Sequence, residues 1–95
     1  DLGDVPIVFS RDRLVLARAQ GKEFLVDYTL QELEHRLPRE QFVRVHRGAI
    51  ANLDWAAALK PAFAGTYRLQ LKDEARTEVP VSRVRARQLR ARLGA

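Results

Sequence analysis

Apolar and polar positions alternate most cleanly over Tyr67-Arg68-Leu69-Gln70-Leu71-Lys72, the period-two pattern of a strand with one buried face. Asp73-Glu74-Ala75-Arg76 turns it back, and Thr77 to Val81 is predicted to pair with it as a hairpin. A second group of strands opens the chain. Val5-Pro6-Ile7-Val8-Phe9 has the β-branched content of a strand, with its proline near the start where a missing N–H costs little. Ser10-Arg11-Asp12-Arg13 is a polar turn, Leu14 to Ala17 a second strand, and Gln20-Gly21-Lys22 a turn into a third, Glu23 to Asp27. The product is a small antiparallel meander.

Two segments carry the longer, helical period. Thr29-Leu30-Gln31-Glu32 is a capping box, and Leu30, Leu33 and Leu37 follow as one apolar stripe that ends at Pro38. Glu32, Glu34, His35 and Arg36 are expected on its solvated sides. At the other end of the chain, Ser82 is a candidate N-cap for a helix on which Ala86, Leu89 and Leu93 make a narrow apolar stripe. On that helix Arg83, Arg87 and Arg90 share one face, while Arg85 and Arg92 share another.

Between these helices lies Phe42 to Asp54, FVRVHRGAIANLD. Phe42-Val43-Arg44-Val45 is a strand by composition, and His46-Arg47-Gly48 breaks its pairing. Ala49-Ile50-Ala51 is expected to be a short apolar turn closed by Asn52. Trp55-Ala56-Ala57-Ala58-Leu59 suits helix or strand by propensity alone, and Ala64-Gly65-Thr66 is a turn. The fold class is therefore mostly β, with small antiparallel sheets, one short packed helix and a C-terminal basic helix. Ninety-five residues suit a single domain over 1–95.

Charge adds a direction to this picture. Residues 1–40 carry six Lys/Arg against eight Asp/Glu, and residues 41–95 carry eleven against four, so the net +5 arises in the second part. One face of such a chain suits a polyanion. Arg90 and Arg92, near a helix end, also favour the helix dipole, but Arg83 lies at the start, where positive charge is disfavoured. Its position points to an anionic partner.

Other chemistries find little support. Cysteine is absent, so there is no disulfide framework and no thiolate nucleophile. Ser82, His46 and Asp54 supply the residue types of a triad, yet no glycine-flanked elbow surrounds Ser82. Two histidines without paired carboxylates at ligand spacing do not suggest a metal, and phosphate-loop and dinucleotide fingerprints are missing. No enzyme, cofactor or membrane association is expected. The aromatic residues Phe9, Phe24, Tyr28, Phe42, Trp55, Phe63 and Tyr67 are expected mostly in the core.

The stretch FVRVHRGAIANLD resembles the signature of the LytTR family, DNA-binding output domains of bacterial response regulators, whose pattern is roughly F-x-R-x-H-R-S-x-x-x-N. Phe42, Arg44, His46, Arg47 and Asn52 match, and Gly48 stands where the family usually has Ser. The family's second signature, a strand ending V-P-V-S-R before a basic helix, is matched by Val79-Pro80-Val81-Ser82-Arg83. The resemblance implies a strand over Trp55–Leu59 and loops that enter successive grooves of double-stranded DNA. Carried over by position, the contacts come from the Arg11-Asp12-Arg13 turn, from His46, Arg47 and Asn52, and from Ser82, Arg83, Arg85 and Arg87. It further implies a cytoplasmic regulator, binding as a dimer on repeated sites, with an N-terminal receiver-type domain outside this chain. The competing expectation is a protein-interaction or dimerisation module that uses the arginine-rich helix.

Overall fold

The computed structural model describes residues 1–94. Strand β1 (Ile7–Arg11) pairs antiparallel with β2 (Leu14–Ala19), and β2 with β3 (Lys22–Leu25). The first turn is only Asp12-Arg13, with φ of 53° and 68°, and the second is Gln20-Gly21, with φ of 52° and 75°. Two left-handed residues match the twist of the strands they join. Ser10 and Arg11 therefore stay in the strand, and the expected four-residue turn contracts to two.

Helix α1 (Leu30–Arg36) begins as its capping box predicts. The Thr29 hydroxyl accepts from the Glu32 amide at 3.0 Å, and the Glu32 carboxylate accepts from the Thr29 amide at 2.9 Å. Strands β4 (Phe42–His46) and β5 (Ala49–Asn52) follow, and the larger sheet has the order β3-β2-β1-β5-β4. Ala49-Ile50-Ala51 is thus a strand and not a turn. Because β5 lies between two strands and is covered on both faces, all four of its residues are buried and no polar alternation marks it.

A 3-10 turn, Leu53–Trp55, leads into β6 (Ala56–Pro61), which pairs with β7 (Tyr67–Leu71), and β7 pairs with β8 (Glu78–Val81). Helix α2 (Arg83–Leu93) ends at Gly94, whose φ of 73° makes it a left-handed cap. Its Ser82 cap and the burial of Ala86 and Leu89 follow the prediction, whereas Leu93, the third residue of the expected stripe, is exposed at the helix end.

The five-stranded sheet has a distinct layer on each face. Val8, Phe42 and Ile50 pack on Leu30 and Leu33 of α1. Ile7, Val45, Ala49 and Ala51 pack on Leu69, Leu71, Val79 and Val81 of the second sheet and on Ala86 and Leu89 of α2. Each fully buried Leu or Ile here contributes about 1.5–3 kcal/mol relative to exposure. The two helices meet around the β4 edge through Glu34. Its carboxylate oxygens lie 3.1 Å from Arg44 and 3.2 Å from Arg85. Glu34 is therefore a link between three elements, in contrast to the solvated role expected from its place on α1.

Asn52 also departs from expectation. It is fully buried, its Nδ2 donates to the Val5 carbonyl at 3.0 Å, and its Oδ1 accepts from the Asp54 amide at 2.9 Å. An amide so enclosed fastens the segment before β1 to the end of β5 and has no surface to offer DNA. Asn52→Ala leaves the Val5 acceptor without this donor and is expected to cost about 1–3 kcal/mol. Urea unfolding of the variant checks this, and an unchanged midpoint at equal m would contradict it.

Candidate nucleic-acid interface

Antiparallel pairing sends alternate connections to opposite ends of a sheet. In the larger sheet the β1–β2 and β4–β5 turns share one end, and the Ser10 amide donates to the Gly48 carbonyl at 2.9 Å between them. In the smaller sheet the β6–β7 connection and the entry to α2 share an end, because Tyr67 lies opposite Val81. The Ser82 amide donates to the Val45 carbonyl at 3.0 Å and joins these two ends into one. The turns Gln20-Gly21 and Asp73 to Arg76 lie at the other end. So does a concavity of about 720 Å³ lined by Pro6, Arg18, Gln20, Trp55, Asp73 and Glu74. It is remote from the segments singled out by sequence.

The corner after β4 is built with some care for geometry. Arg44 and His46 bracket an irregularity in the pairing, with Arg44 opposite Ile50 and His46 opposite Ala49. The extra residue, Val45, is wholly buried, and the bulge leaves His46 on the side of the second sheet. There the imidazole lines a shallow depression with Phe63, Thr66, Arg68 and Ser82. Its Nδ1 accepts from the Gly48 amide at 2.9 Å, so the proton of the neutral ring is on Nε2. Arg44 donates to the carbonyls of His46, at 2.8 Å, and Arg47. A Cβ at Gly48 would stand 3.0 Å from the His46 ring, so glycine here allows close packing and the corner is tight. Arg47 projects from it, exposed.

The expected contacts separate into two groups. Arg13, Arg47, Arg83 and Arg87 are exposed at the shared end and make no ion pair among the described residues. Arg13 holds a left-handed backbone with φ of 68°, a conformation that disfavours side chains with a Cβ, at the tip of its turn. Asp12 shares that tip. Arg83 and Arg87 line a groove with Gly65, Thr66 and Tyr67, and Arg90 adjoins them with its guanidinium 5.6 Å from the Tyr67 ring centroid.

The second group is engaged within the protein. Arg11 belongs to β1 and pairs with Glu23 at 2.5 Å, over the Phe9 ring. Arg85 lies on the opposite flank of α2 and is held by Glu34, which removes it from the basic row. Ser82 caps α2 by accepting from the Arg85 amide at 3.3 Å. The three residue types of a triad are not brought together, because Asp54 follows Asn52 at the far end of the sheet from His46.

Sequence reasoning missed Arg68, Arg90 and Phe63 at this end. Arg68 was hidden among the polar alternates of a strand, and Arg90 has a helix-dipole explanation. Phe63, with Phe24 and Tyr28, is an exception to the expected aromatic core. Its one signal was an aromatic residue in a loop with no periodic apolar neighbour.

A β-rich domain with unpaired arginines on two turns and a helix start presents a cationic surface to a polyanion. The family model "LytTr DNA-binding domain" matches residues 1–94, and the chain belongs to the LytTR DNA-binding domain family. It is 34% identical over 90 residues to the sensory transduction protein LytT of Bacillus cereus and 28% identical over 89 residues to the transcriptional regulatory protein YpdB of Escherichia coli K12. Those alignments cover 95% and 94% of this chain, but 36% of each relative's length. A solved LytTr DNA-binding domain of a putative methyl-accepting/DNA response regulator from Bacillus cereus superposes with a TM-score of 0.86 at 30% identity, covering 98% of this chain and 84% of that one.

Burial, and then the neighbouring Arg44 guanidinium, hold His46 below the ordinary histidine value of 6.5. The neutral ring is the form that accepts from Gly48. Its contribution to stability is complete above the ordinary value and is lost as pH falls from there through the folded value. The thermal midpoint is therefore expected to drop between pH 7 and pH 5 more in the wild type than in His46→Asn, whose amide oxygen can accept from Gly48 at any pH. Parallel pH profiles for the two proteins would show that the ring is not coupled to the corner.

Proposed function

We propose that this domain binds double-stranded DNA sequence-specifically, using the β1–β2 turn, the β4–β5 corner and the start of α2 as its reading segments. The observation that carries the reading is the convergence of Arg13, Arg47 and Arg83 on one end of the molecule from three remote parts of the chain. Arginine either clamps a phosphate or forks onto the O6 and N7 of guanine, and an unpaired guanidinium has all its donors free for either mode. We further assign the domain to a cytoplasmic bacterial transcriptional regulator of the response-regulator type, in which a receiver-type domain controls it and two copies occupy repeated sites. The shared residues and the names of its relatives support this setting. The chain's 36% share of those relatives leaves room for such an input domain there.

The competing reading, an arginine-rich helix that docks an acidic protein, fits the geometry less well. The row Arg83, Arg87 and Arg90 adjoins the strand connections and not the outward face of α2. Arg92 lies on the other flank, beside Glu34 and Arg44.

Binding is tested with duplexes selected from a random library. Several phosphate contacts make log affinity fall steeply with log salt on any duplex, and the selected site stands above that background. Arg83→Ala is expected to cost about 1–3 kcal/mol on the selected site and to relax preference at one base position. Arg92→Ala should leave affinity nearly unchanged. Equal losses for Arg83→Ala on selected and random duplexes would make Arg83 a phosphate clamp, and no retention on duplex DNA beyond what a net charge of +5 produces would favour the protein-docking alternative.

Shape yields a second expectation. The Cα atoms extend 33 × 26 × 25 Å, so the longest dimension is about one turn of DNA, near 34 Å. A straight duplex presents a convex surface, so contacts spread across the width of such a body reach it together only where it wraps towards them. The bound DNA is therefore expected to bend towards the protein, with flexible steps between contacted bases favoured. Circularly permuted probes should migrate differently according to the position of the site; uniform mobility would mean that the Asp12-Arg13 turn does not engage together with the other two segments.

A further inference from the structure

Phe63 is 91% exposed and stands at the cationic end. A lone exposed aromatic is unremarkable in itself. Its loop, however, is not slack. The Thr66 amide and hydroxyl both donate to the Phe63 carbonyl, at 3.2 and 2.6 Å, and the Ala62 amide donates to the Thr66 carbonyl at 2.8 Å. Ala64 has φ of 59°, a left-handed conformation in a residue with a Cβ, and Gly65 follows with φ of 78°. The chain thus turns tightly beneath Phe63 and holds it outward.

The surroundings are arginines. Phe63 shares one depression with Arg68, His46 and Ser82, while Gly65, on the same loop, abuts the groove of Arg83, Arg87 and Arg90. The other exposed aromatics, Phe24 and Tyr28, lie on and after the edge strand β3. A surface that pairs an ordered ring with several unpaired cations suits a ligand whose phosphates flank apolar sugar and base edges. That combination is duplex DNA.

We propose that Phe63 is a direct apolar contact to duplex DNA, its ring packing on deoxyribose and base edges beside the Arg83 contact, so that the β6–β7 loop is a fourth reading segment. This rests on the proposed DNA-binding function and adds to it. Arginines give affinity that salt screens, whereas the ring gives affinity that salt does not. Apolar side chains set against base steps favour pyrimidine–purine steps, which unstack readily.

The test uses the duplex that the wild-type chain selects from a random library, with 2-aminopurine placed at successive positions. Phe63→Ala is expected to weaken binding about tenfold, in line with the loss of one base–aromatic contact. The slope of log affinity against log salt should stay the same, because no phosphate contact is lost. Phe63→Leu should retain part of the affinity. The 2-aminopurine response should disappear in Phe63→Ala at one step only. An exposed ring can be removed without unfolding, and an unchanged thermal midpoint verifies this. Wild-type affinity in Phe63→Ala overturns the contact, as does a loss accompanied by a shallower salt slope, which would trace to displaced arginines. A wild-type chain that binds no duplex overturns the DNA-binding function itself, and with it this contact.

Discussion

The Ser82 amide reaches the Val45 carbonyl at 3.0 Å across the seam between the two sheets, and the arrangement of the basic end depends on that junction. Beneath it, Val45, Leu69, Val81, Ala86 and Leu89 form one continuous apolar cluster. The hydrogen bond sets the register and the cluster supplies most of the energy, since a single such bond is worth about 1 kcal/mol net. Sliding one sheet along the other would separate Arg47 from Arg83 and part His46 from the β6–β7 loop. The parity of the antiparallel strands then decides the rest. Each sheet delivers its relevant connections to the same end, and the seam aligns those two ends.

The arginines divide into those that build this platform and those that remain free upon it. Arg44 binds two corner carbonyls and Glu34, Arg85 binds the other oxygen of Glu34, and Arg18 reaches Thr77 at 3.0 Å. Arg11 is paired with Glu23 in an exposed position, where such pairs contribute little to stability. Arg13, Arg47, Arg68, Arg83 and Arg87 contribute nothing evident to the fold. Asp73 and Glu74 lie in the β7–β8 connection at the opposite end, away from these free arginines. Net charge alone would give diffuse affinity for any polyanion; the fixed corner and helix start give direction to individual guanidinium groups.

Much of this was determined by the sequence. The alternation of Tyr67 to Leu71, the Thr29–Glu32 capping box, the Ser82 cap and the two arginine flanks of α2 are local properties, each expressed within one or two turns or a single strand. The motif residues at the His46-Arg47 corner and at Ser82-Arg83 also pointed to the two segments that the fold brings to one end, because each motif is carried by neighbouring positions. Tertiary structure decided what those patterns could not encode. β5 lost its alternation because it is covered on both faces, and Asn52 at its end was enclosed by the segment before β1. Glu34 looked solvated on an isolated helix, yet its partner Arg85 lies 51 positions away and reaches it around a sheet edge. The bulge at Val45 chose the face that His46 occupies, and the seam placed Phe63 among the arginines. Periodicity reports only how a segment divides its own faces between core and water. Which groups of distant segments meet is set by sheet order, register and packing, and these follow from the simultaneous burial of both faces of one sheet.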